Sequence, residues 1–155
     1  MNIEIIEKPS FCVIGKEGST EMGNGFIQKL WMEANQNFNE ISDLVKKDEE
    51  GKVIACWGAM SDFSMKFMPW EDNFTKGKYL AGAECVDEAV APTGWTKWVI
   101  PGFQYIKVRC DDRDTFPNGL KYIAEQGYQL AGAVHDYTDA RTEQNYMYFP
   151  IKKLI

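Results

Sequence analysis

Histidine is nearly absent from this chain of 155 residues, because His135 is the only one. The four cysteines, Cys12, Cys56, Cys85 and Cys110, are scattered and form no C-x-x-C pair. Zinc sites need several His or Cys ligands at short, regular spacing, so the sequence argues against a bound metal. We therefore expect no cofactor, and no disulfide bonds in what reads as a cytoplasmic protein.

Positive charge and long apolar runs are also scarce. The chain has 17 Lys and Arg against 23 Asp and Glu, which gives a net charge of −6. Nucleic-acid surfaces need clustered basic residues, and the longest cluster here is Lys152-Lys153, so we expect no direct DNA binding. No segment approaches the roughly 18 apolar residues of a membrane helix, and residues 1–9 do not resemble a signal peptide. These absences indicate a cytoplasmic location and no membrane contact.

The familiar catalytic motifs are missing as well. The sequence contains no nucleophile elbow, no P-loop, no dinucleotide-binding fingerprint and no H-E-x-x-H helix. A Ser–His–acid arrangement would have to use His135, and no serine has a recognisable setting for it. A binding protein is therefore favoured over an enzyme. Aromatic residues, in contrast, are abundant at 14%, with five Trp, which predicts either a Trp-rich core or an aromatic-walled pocket.

The most informative pattern is an internal echo. The segment Pro9-Ser10-Phe11-Cys12-Val13-Ile14 returns 92 residues later as Pro101-Gly102-Phe103-Gln104-Tyr105-Ile106, with the shared frame Pro-x-Phe-x-x-Ile. Each copy precedes a predicted helix and two predicted strands. Such an echo indicates two fused supersecondary units with a cleft along their seam, where ligands tend to bind. We predict a single domain over 1–155, with one repeat over about 1–87, a linker over 88–95 and a second repeat over 96–155.

Hydrophobic periodicity predicts the elements of each repeat. Apolar spacing of three and four residues predicts helices over about 25–47 and 114–126. Strands are predicted over 2–7, 11–17, 53–60, 79–87, 97–109 (broken at Pro101), 129–137 and 146–152. This order predicts an α+β fold made of two pseudo-symmetric strand–helix–strand–strand repeats, which form an antiparallel sheet with both helices on one face. Residues 61–78 carry many large apolar side chains and are predicted to be a flap packed over something.

Four short motifs together resemble the GyrI-like small-molecule-binding family. Its members include the effector-binding domains of BmrR-type and AraC-type multidrug regulators, and stand-alone proteins. Met147-Tyr148-Phe149-Pro150-Ile151 is similar to the family's closing strand, and Tyr79–Val86 is similar to its aromatic–Gly–Val–Glu–Val strand. Lys8-Pro9 and Ile100-Pro101-Gly102-Phe103 resemble its two strand-opening Pro motifs. The resemblance covers the whole chain and implies the α+β fold predicted above.

The resemblance also implies a pocket acid, usually a glutamate in the family. Counted from Gly132, that position falls on Asp136, and one residue of slip would place it on His135. Glu84, in an otherwise apolar strand, is a second candidate acid. Either acid could instead lie on a solvated surface, and the tryptophans could simply be core. The candidate ligand-binding residues are Trp57, Tyr79, Glu84, Trp98, Tyr105, Asp136, Tyr137 and Tyr148.

Rings beside an acid suit flat cations, and the methionines Met60, Met65 and Met68 would let pocket walls repack around different ligands. We therefore expect a stand-alone effector-binding or sequestering domain for amphipathic, cationic or aromatic small molecules, with a partner protein or transcription regulation as further links. One alternative is a hydrolase of reactive xenobiotics, with Asp136 or Glu84 as base and Tyr137 or Tyr148 as proton donor. Another alternative is a gyrase-interacting inhibitor.

Overall fold

All eight strands belong to one antiparallel sheet in the computed structural model, which describes residues 1–155. The strands are β1 (Ile3–Lys8), β2 (Phe11–Ser19), β3 (Ala55–Ser61), β4 (Lys78–Cys85), β5 (Thr96–Ile100), β6 (Phe103–Arg109), β7 (His135–Asp139) and β8 (Gln144–Lys153). The helices are α1 (Phe26–Gln36), the single turn α2 (Glu71–Phe74) and α3 (Thr115–Glu125). The α+β class predicted from the sequence is confirmed.

The strand order reveals the relation between the two halves of the chain. It runs β1-β6-β8-β7-β3-β4-β2-β5. If each of β1–β4 is exchanged for its counterpart among β5–β8, the same order results, read from the opposite edge of the sheet. Strands β3 and β7 meet at the centre, and this pair is the seam. Strand β1 pairs with β6 and strand β5 pairs with β2, so each half supplies one edge strand to the other half. This order supports the proposed division into two repeats.

Both long helices lie on one face of the sheet, as predicted, and we call it the helix face. Helix α1 packs on β2 and β4 through its buried stripe of Phe26, Leu30 and Ala34. Helix α3 packs on β6 and β8, where Gly119 leaves room for the ring of Phe149. Because each helix covers only its own pair of strands, the seam between them is left without a helix over it.

The opposite face carries the largest hydrophobic cluster although no helix covers it. Trp98 of the edge strand β5 belongs to this cluster, and Ile6 of the other edge strand packs against it. Side chains from both edges can meet only if the sheet curls into a half-barrel, so we call this face the concave face. The flap residues Met65 and Phe67 close the cluster. Its buried members are Phe11, Val13, Ala55, Trp57, Ala59, Leu80, Trp98, Ile100, Phe103, Tyr105 and Tyr148.

Two predicted element boundaries were wrong. The helix predicted over 25–47 ends at Gln36, because the amide of Asn37 bonds back to the carbonyl of Glu33 and terminates the helix. Ile41 and Val45 keep the apolar spacing and reach the same core as Ala34, Ile41 from the end of a short 3-10 helix and Val45 from an isolated β-bridge with Cys85. The strand predicted over 129–137 starts only at His135. No helix of the structure combines the length and the apolar character needed to cross a membrane.

The curl of the sheet predicts a strict requirement for glycine at one cross-strand pair. Gly15 and Gly82 lie opposite each other on β2 and β4, and a Cβ on Gly82 would lie 2.0 Å from the carbonyl oxygen of Ile14. Backbone cannot move aside as a side chain can, so Gly82→Ala should destabilise the fold by about 2–3 kcal/mol, measured by urea unfolding. Gly102→Ala is the control, because its nearest contact would be 3.1 Å and the loss should be smaller. Equal stability of the two variants would contradict this account of the curl.

Candidate functional site

The predicted site residues are divided between the two faces of the sheet. Successive side chains of a strand point to opposite faces, so the register of the seam decides which residues share a site. Gly58 pairs with Asp136 on the helix face, and Trp57 pairs with Tyr137 on the concave face. Tyr79 joins Asp136 on the helix face. The other six candidates lie on the concave face: Trp57, Glu84, Trp98, Tyr105, Tyr137 and Tyr148.

A cavity of about 310 Å³ opens on the helix face at the seam, beside Asp136. Helix α1 contributes Trp31 to its wall, and the strands contribute polar groups from both halves. The residues that line it are Trp31, Gly58, Tyr79, Cys110, Asp136, Tyr137, Thr138, Asn145 and Tyr146. This cavity has a polar floor with one carboxyl group.

A second, separate cavity of about 170 Å³ lies near the first and is almost wholly apolar. It is lined by Met60, Pro69, Trp70, Phe74, Phe116, Val134 and Met147. Met60 lies two residues after Gly58 on β3, and Val134 lies two residues before Asp136, just ahead of β7. The two cavities are therefore neighbours, and we call the pair the seam groove.

Asp136 is held by a short chain of hydrogen bonds. The Tyr79 hydroxyl donates to Asp136 Oδ2 over 3.0 Å, and Trp31 Nε1 donates to the Tyr79 hydroxyl over 3.0 Å. Gly58 is essential to this geometry, because a Cβ there would lie 1.8 Å from the Tyr79 hydroxyl oxygen. The chain fixes the carboxyl group in place while leaving Asp136 Oδ1 without a protein donor.

The charge of Asp136 is not compensated by the protein. Tyr79 is its only hydrogen-bond donor, and no lysine, arginine or histidine forms an ion pair with it. Burial raises the pKa of Asp136, and the hydrogen bond from Tyr79 only partly opposes this shift. A half-buried carboxylate that faces a cavity and has no cationic partner in the protein can form an ion pair with a cation that enters the cavity.

The flap, residues 61–78, closes one end of the groove. Asp62 accepts hydrogen bonds from the hydroxyl of Ser64 and from the backbone N–H groups of Lys66 and Met68. Burial raises the pKa of Asp62, but these hydrogen bonds outweigh it and the net pKa is lowered. Trp70 and Phe74 then line the apolar cavity. Five flap residues have positive φ: Met65, Phe67, Asp72, Asn73 and Phe74.

Backbone strain of this kind concentrates at ligand clamps and switch segments. The sequence placed the apolar flap correctly over a core, but it did not assign Trp31, Trp70, Phe74 or Phe116 to a ligand site. The available signal was the density of large apolar residues in 61–78, which is unusual for a connection. Those aromatic side chains form the walls of the groove, whereas the concave tryptophans belong to the core.

Glu84 has the opposite electrostatic setting to Asp136. Its carboxylate lies 3.2 Å from Lys8 Nζ and 3.1 Å from Lys46 Nζ, and Trp57 Nε1 donates to it over 3.1 Å. Burial lowers the pKa of Lys46, but the hydrogen bond and the attraction of Glu84 raise it by more. Glu84 is therefore compensated by the chain itself and is not free to act as a base.

His135, the alternative position for the pocket acid, also lies on the concave face. Its Nδ1 accepts a hydrogen bond from the Met60 backbone N–H, and its Nε2 has no partner. Full burial lowers the pKa of His135 to about 3, so the ring is neutral at physiological pH. No group of three or more His, Cys, Asp or Glu side chains in the structure could hold a metal ion.

Comparisons with solved structures identify the fold, although no protein-family model and no curated protein matches the chain. The C-terminal domain of EcmrR is 13% identical over 99% of this chain and 98% of its own length, with a TM-score of 0.65. SAV2435, solved in complex with tetraphenylphosphonium, is 14% identical over 98% of this chain and 94% of its own, with a TM-score of 0.64. An integron cassette protein of Vibrio cholerae is 14% identical over 99% and 97%, with a TM-score of 0.58.

These matches span nearly the whole of both chains, and at such low identity they establish the fold. The chain has the fold of the GyrI-like effector-binding domains. The resemblance seen in the four sequence motifs is confirmed at this level.

The burial of Asp136 predicts a stability effect with a definite pH dependence. A carboxyl group whose pKa is raised in the folded state stabilises the fold only when protonated, so its charged form is destabilising at neutral pH. Asp136→Asn should therefore raise the free energy of unfolding at pH 7 by about 1 kcal/mol. For a chain of this length, that corresponds to a rise in Tm of roughly 2–4 °C. The gain should shrink as the pH falls through the raised folded-state pKa of Asp136, and it should vanish below the ordinary aspartate pKa of 3.8, where the carboxyl group is protonated in both the folded and the unfolded state.

Asp139→Asn is the matched control for this measurement. Asp139 lies on the same strand, and hydrogen bonds from Arg141 outweigh its slight burial and lower its pKa. Its charged form is stabilising, so the substitution should lower Tm at pH 7. Differential scanning calorimetry at several pH values measures both effects. A fall of Tm in Asp136→Asn at pH 7 would show that the Asp136 charge is compensated after all.

Proposed function

We propose that the seam groove binds amphipathic small molecules that carry one positive charge on an aromatic or other apolar body. The observation that supports this proposal is the half-buried Asp136 carboxylate, which has no cationic partner and faces a cavity that neighbours an aromatic one. The protein would then act as an effector-binding or sequestering domain in the cytoplasm.

The groove matches both parts of such a ligand. At the polar end, a cation beside Asp136 would offset the cost of the buried charge. At the apolar end, the rings of Trp70, Phe74 and Phe116 offer contact area, and ring faces attract positive charge by about 0.5–2 kcal/mol per contact. Met60 and Met147 are flexible and polarizable, so this end can repack around bodies of different shape. The cavity beside Asp136, at about 310 Å³, is at the lower end of the ordinary range for small-molecule sites, about 300–1,000 Å³.

The structural relatives support this class of ligand. Tetraphenylphosphonium, the molecule bound to SAV2435, is a monocation surrounded by four aromatic rings. EcmrR has also been solved in complex with DNA, and the part of that chain similar to this one makes up 58% of it, with a TM-score of 0.57. We propose that any link of this protein to transcription passes through a protein partner, because its net charge of −6 does not favour direct contact with DNA.

The hydrolase alternative is weaker in this geometry. Asp136 has a free oxygen that could activate water, but Tyr148 lies on the opposite face of the sheet, and Tyr137 forms no hydrogen bond with Asp136. Glu84 is occupied by two lysine side chains. The gyrase-inhibitor alternative finds no long acidic run that would imitate nucleic acid. Binding without turnover is the simpler use of the groove.

The test compares a cation with a neutral molecule of similar body. Isothermal titration of the wild-type protein with tetraphenylphosphonium should give saturable binding, and triphenylphosphine oxide should bind more weakly. Asp136→Asn should reduce affinity for the cation about 10- to 100-fold, because a charge-assisted contact is worth about 1.5–3 kcal/mol, and should leave the neutral ligand unchanged. Affinity for the cation should also fall as the pH drops, at a higher pH than for an exposed aspartate, since the pKa of Asp136 is raised.

Asp139→Asn removes the same charge from the same strand outside the groove, so it should keep wild-type affinity. Equal cation affinity in Asp136→Asn and the wild type would overturn the proposed role of the carboxylate. Loss of binding in Asp139→Asn as well would show that overall charge, rather than the groove, attracts the cation.

A further inference from the structure

On the concave face, a lysine of the chain itself occupies an arrangement that resembles a receptor for cations. Lys8 is the last residue of the edge strand β1, and its ammonium group lies 3.2 Å from each carboxylate oxygen of Glu84. The Glu84 side chain is only 9% exposed, whereas that of Lys8 is 25% exposed. The carboxylate is thus a buried, fixed feature, and the ammonium group enters from the rim.

Aromatic rings complete the surroundings of this ammonium group. Lys8 Nζ lies 4.5 Å from the ring centroid of Phe11 and 5.8 Å from that of Trp57. The two rings contact each other, with centroids 4.8 Å apart, and Trp57 is fixed in turn by its hydrogen bond to Glu84 Oε1. Two ring faces and one carboxylate around a single positive charge are the elements of a cation cage. We call Phe11, Trp57 and Glu84 the Glu84 cage.

We propose that Lys8 is the resident occupant of a second cation site, the Glu84 cage, and that it keeps free cations out of that site. A tethered group acts at an effective concentration in the millimolar range or above, so a free ammonium ligand must outcompete Lys8 before it can reach Glu84. The cage is suited to small alkylammonium ions, which match the lysine head group, and tetramethylammonium is similar in size to the side-chain atoms beyond Cβ that Lys8→Ala removes. Its existence does not depend on the function proposed for the seam groove.

The position of Lys8 makes it displaceable. Strand β1 lies at the edge of the sheet and pairs only with β6, so its last residue can move without breaking other strand pairs. Lys46 is placed differently: it contacts Glu84 Oε2 from a side chain that is 39% exposed, and its ammonium group lies over no ring. Removing Lys46 should therefore leave the cage closed, whereas removing Lys8 should open it.

The consequence is that the two acids, Glu84 and Asp136, differ in their access to a cationic ligand. With Lys8 in place, Glu84 cannot compete with Asp136 for a cationic ligand, so selection falls to the seam groove alone. Lys8 thereby acts as a specificity-determining residue, although it lies on the other face of the sheet. This consequence rests on the proposed function, but the occupied cage does not.

The cage is tested first in the wild-type protein. Ring currents from Phe11 and Trp57 should shift the ε-methylene protons of Lys8 upfield in its NMR spectrum, and Phe11→Leu should reduce that shift. Ordinary lysine chemical shifts for Lys8 in the folded wild-type protein would overturn the placement of this side chain without any change to the fold.

The site itself is tested by emptying it. Lys8→Ala should bind tetramethylammonium about tenfold or more tightly than the wild type, followed through the indole N–H resonance of Trp57 with sodium chloride as the ionic-strength control. Lys46→Ala should resemble the wild type, and Lys8→Ala combined with Glu84→Gln should lose the effect. Lys8→Ala combined with Lys46→Ala should bind more tightly than Lys8→Ala alone, since Glu84 is then uncompensated.

Two outcomes would overturn the proposal. One is a folded Lys8→Ala variant whose Trp57 resonance does not respond to tetramethylammonium. The other is a wild-type protein that responds as strongly as the variant, which would show that Lys8 blocks nothing. A response of the Trp31 resonance instead of Trp57 would report binding in the seam groove, so failure of the cage and failure of the groove are distinguishable.

Discussion

The alternation of side chains across a single sheet is the constraint on which the rest of the molecule depends. At the seam, one step along β7 separates Asp136, which faces the groove, from Tyr137, which faces the curled interior. The same step in β3 separates Gly58 from Trp57. Near the seam, the helix face opens into the groove between the two helices, whereas the concave face is enclosed by the curvature of the sheet. A shift of one residue in this pairing would exchange a polar cavity floor for an aromatic core.

The two carboxylates, Glu84 and Asp136, differ in their surroundings, and this difference separates a structural role from a functional one. Glu84 receives two ammonium groups and an indole N–H, so its charge is satisfied within the chain. Asp136 receives one hydroxyl from Tyr79 and keeps an open oxygen beside a cavity. An acid that the fold has already neutralised contributes to the fold, whereas one left without a counter-charge favours a partner from outside.

The sequence predicted the architecture better than the site. The Pro-x-Phe-x-x-Ile echo, the order of elements and the single-faced helices all agree with the structure, because apolar periodicity reports local geometry directly. The assignment of faces could not be predicted, since β4 is buried on both sides and shows no polar alternation. The contact between Lys8 and Glu84 could not be predicted either, because the two residues lie 76 positions apart and no local pattern reports so distant a contact. The helix over 25–47 was overextended because Ile41 and Val45 continue the spacing beyond Asn37.

The exchange of edge strands has a consequence for symmetry. One repeat alone would extend its first strand away from its own sheet, and it could pair that strand only with the sheet of a second copy. Two identical repeats paired in this way would carry two identical seam-facing acids or none. Within one chain the halves can differ, and Asp136 of β7 pairs with Gly58 of β3, which carries no acid. The asymmetry of the groove is therefore a property that a symmetric assembly could not have had.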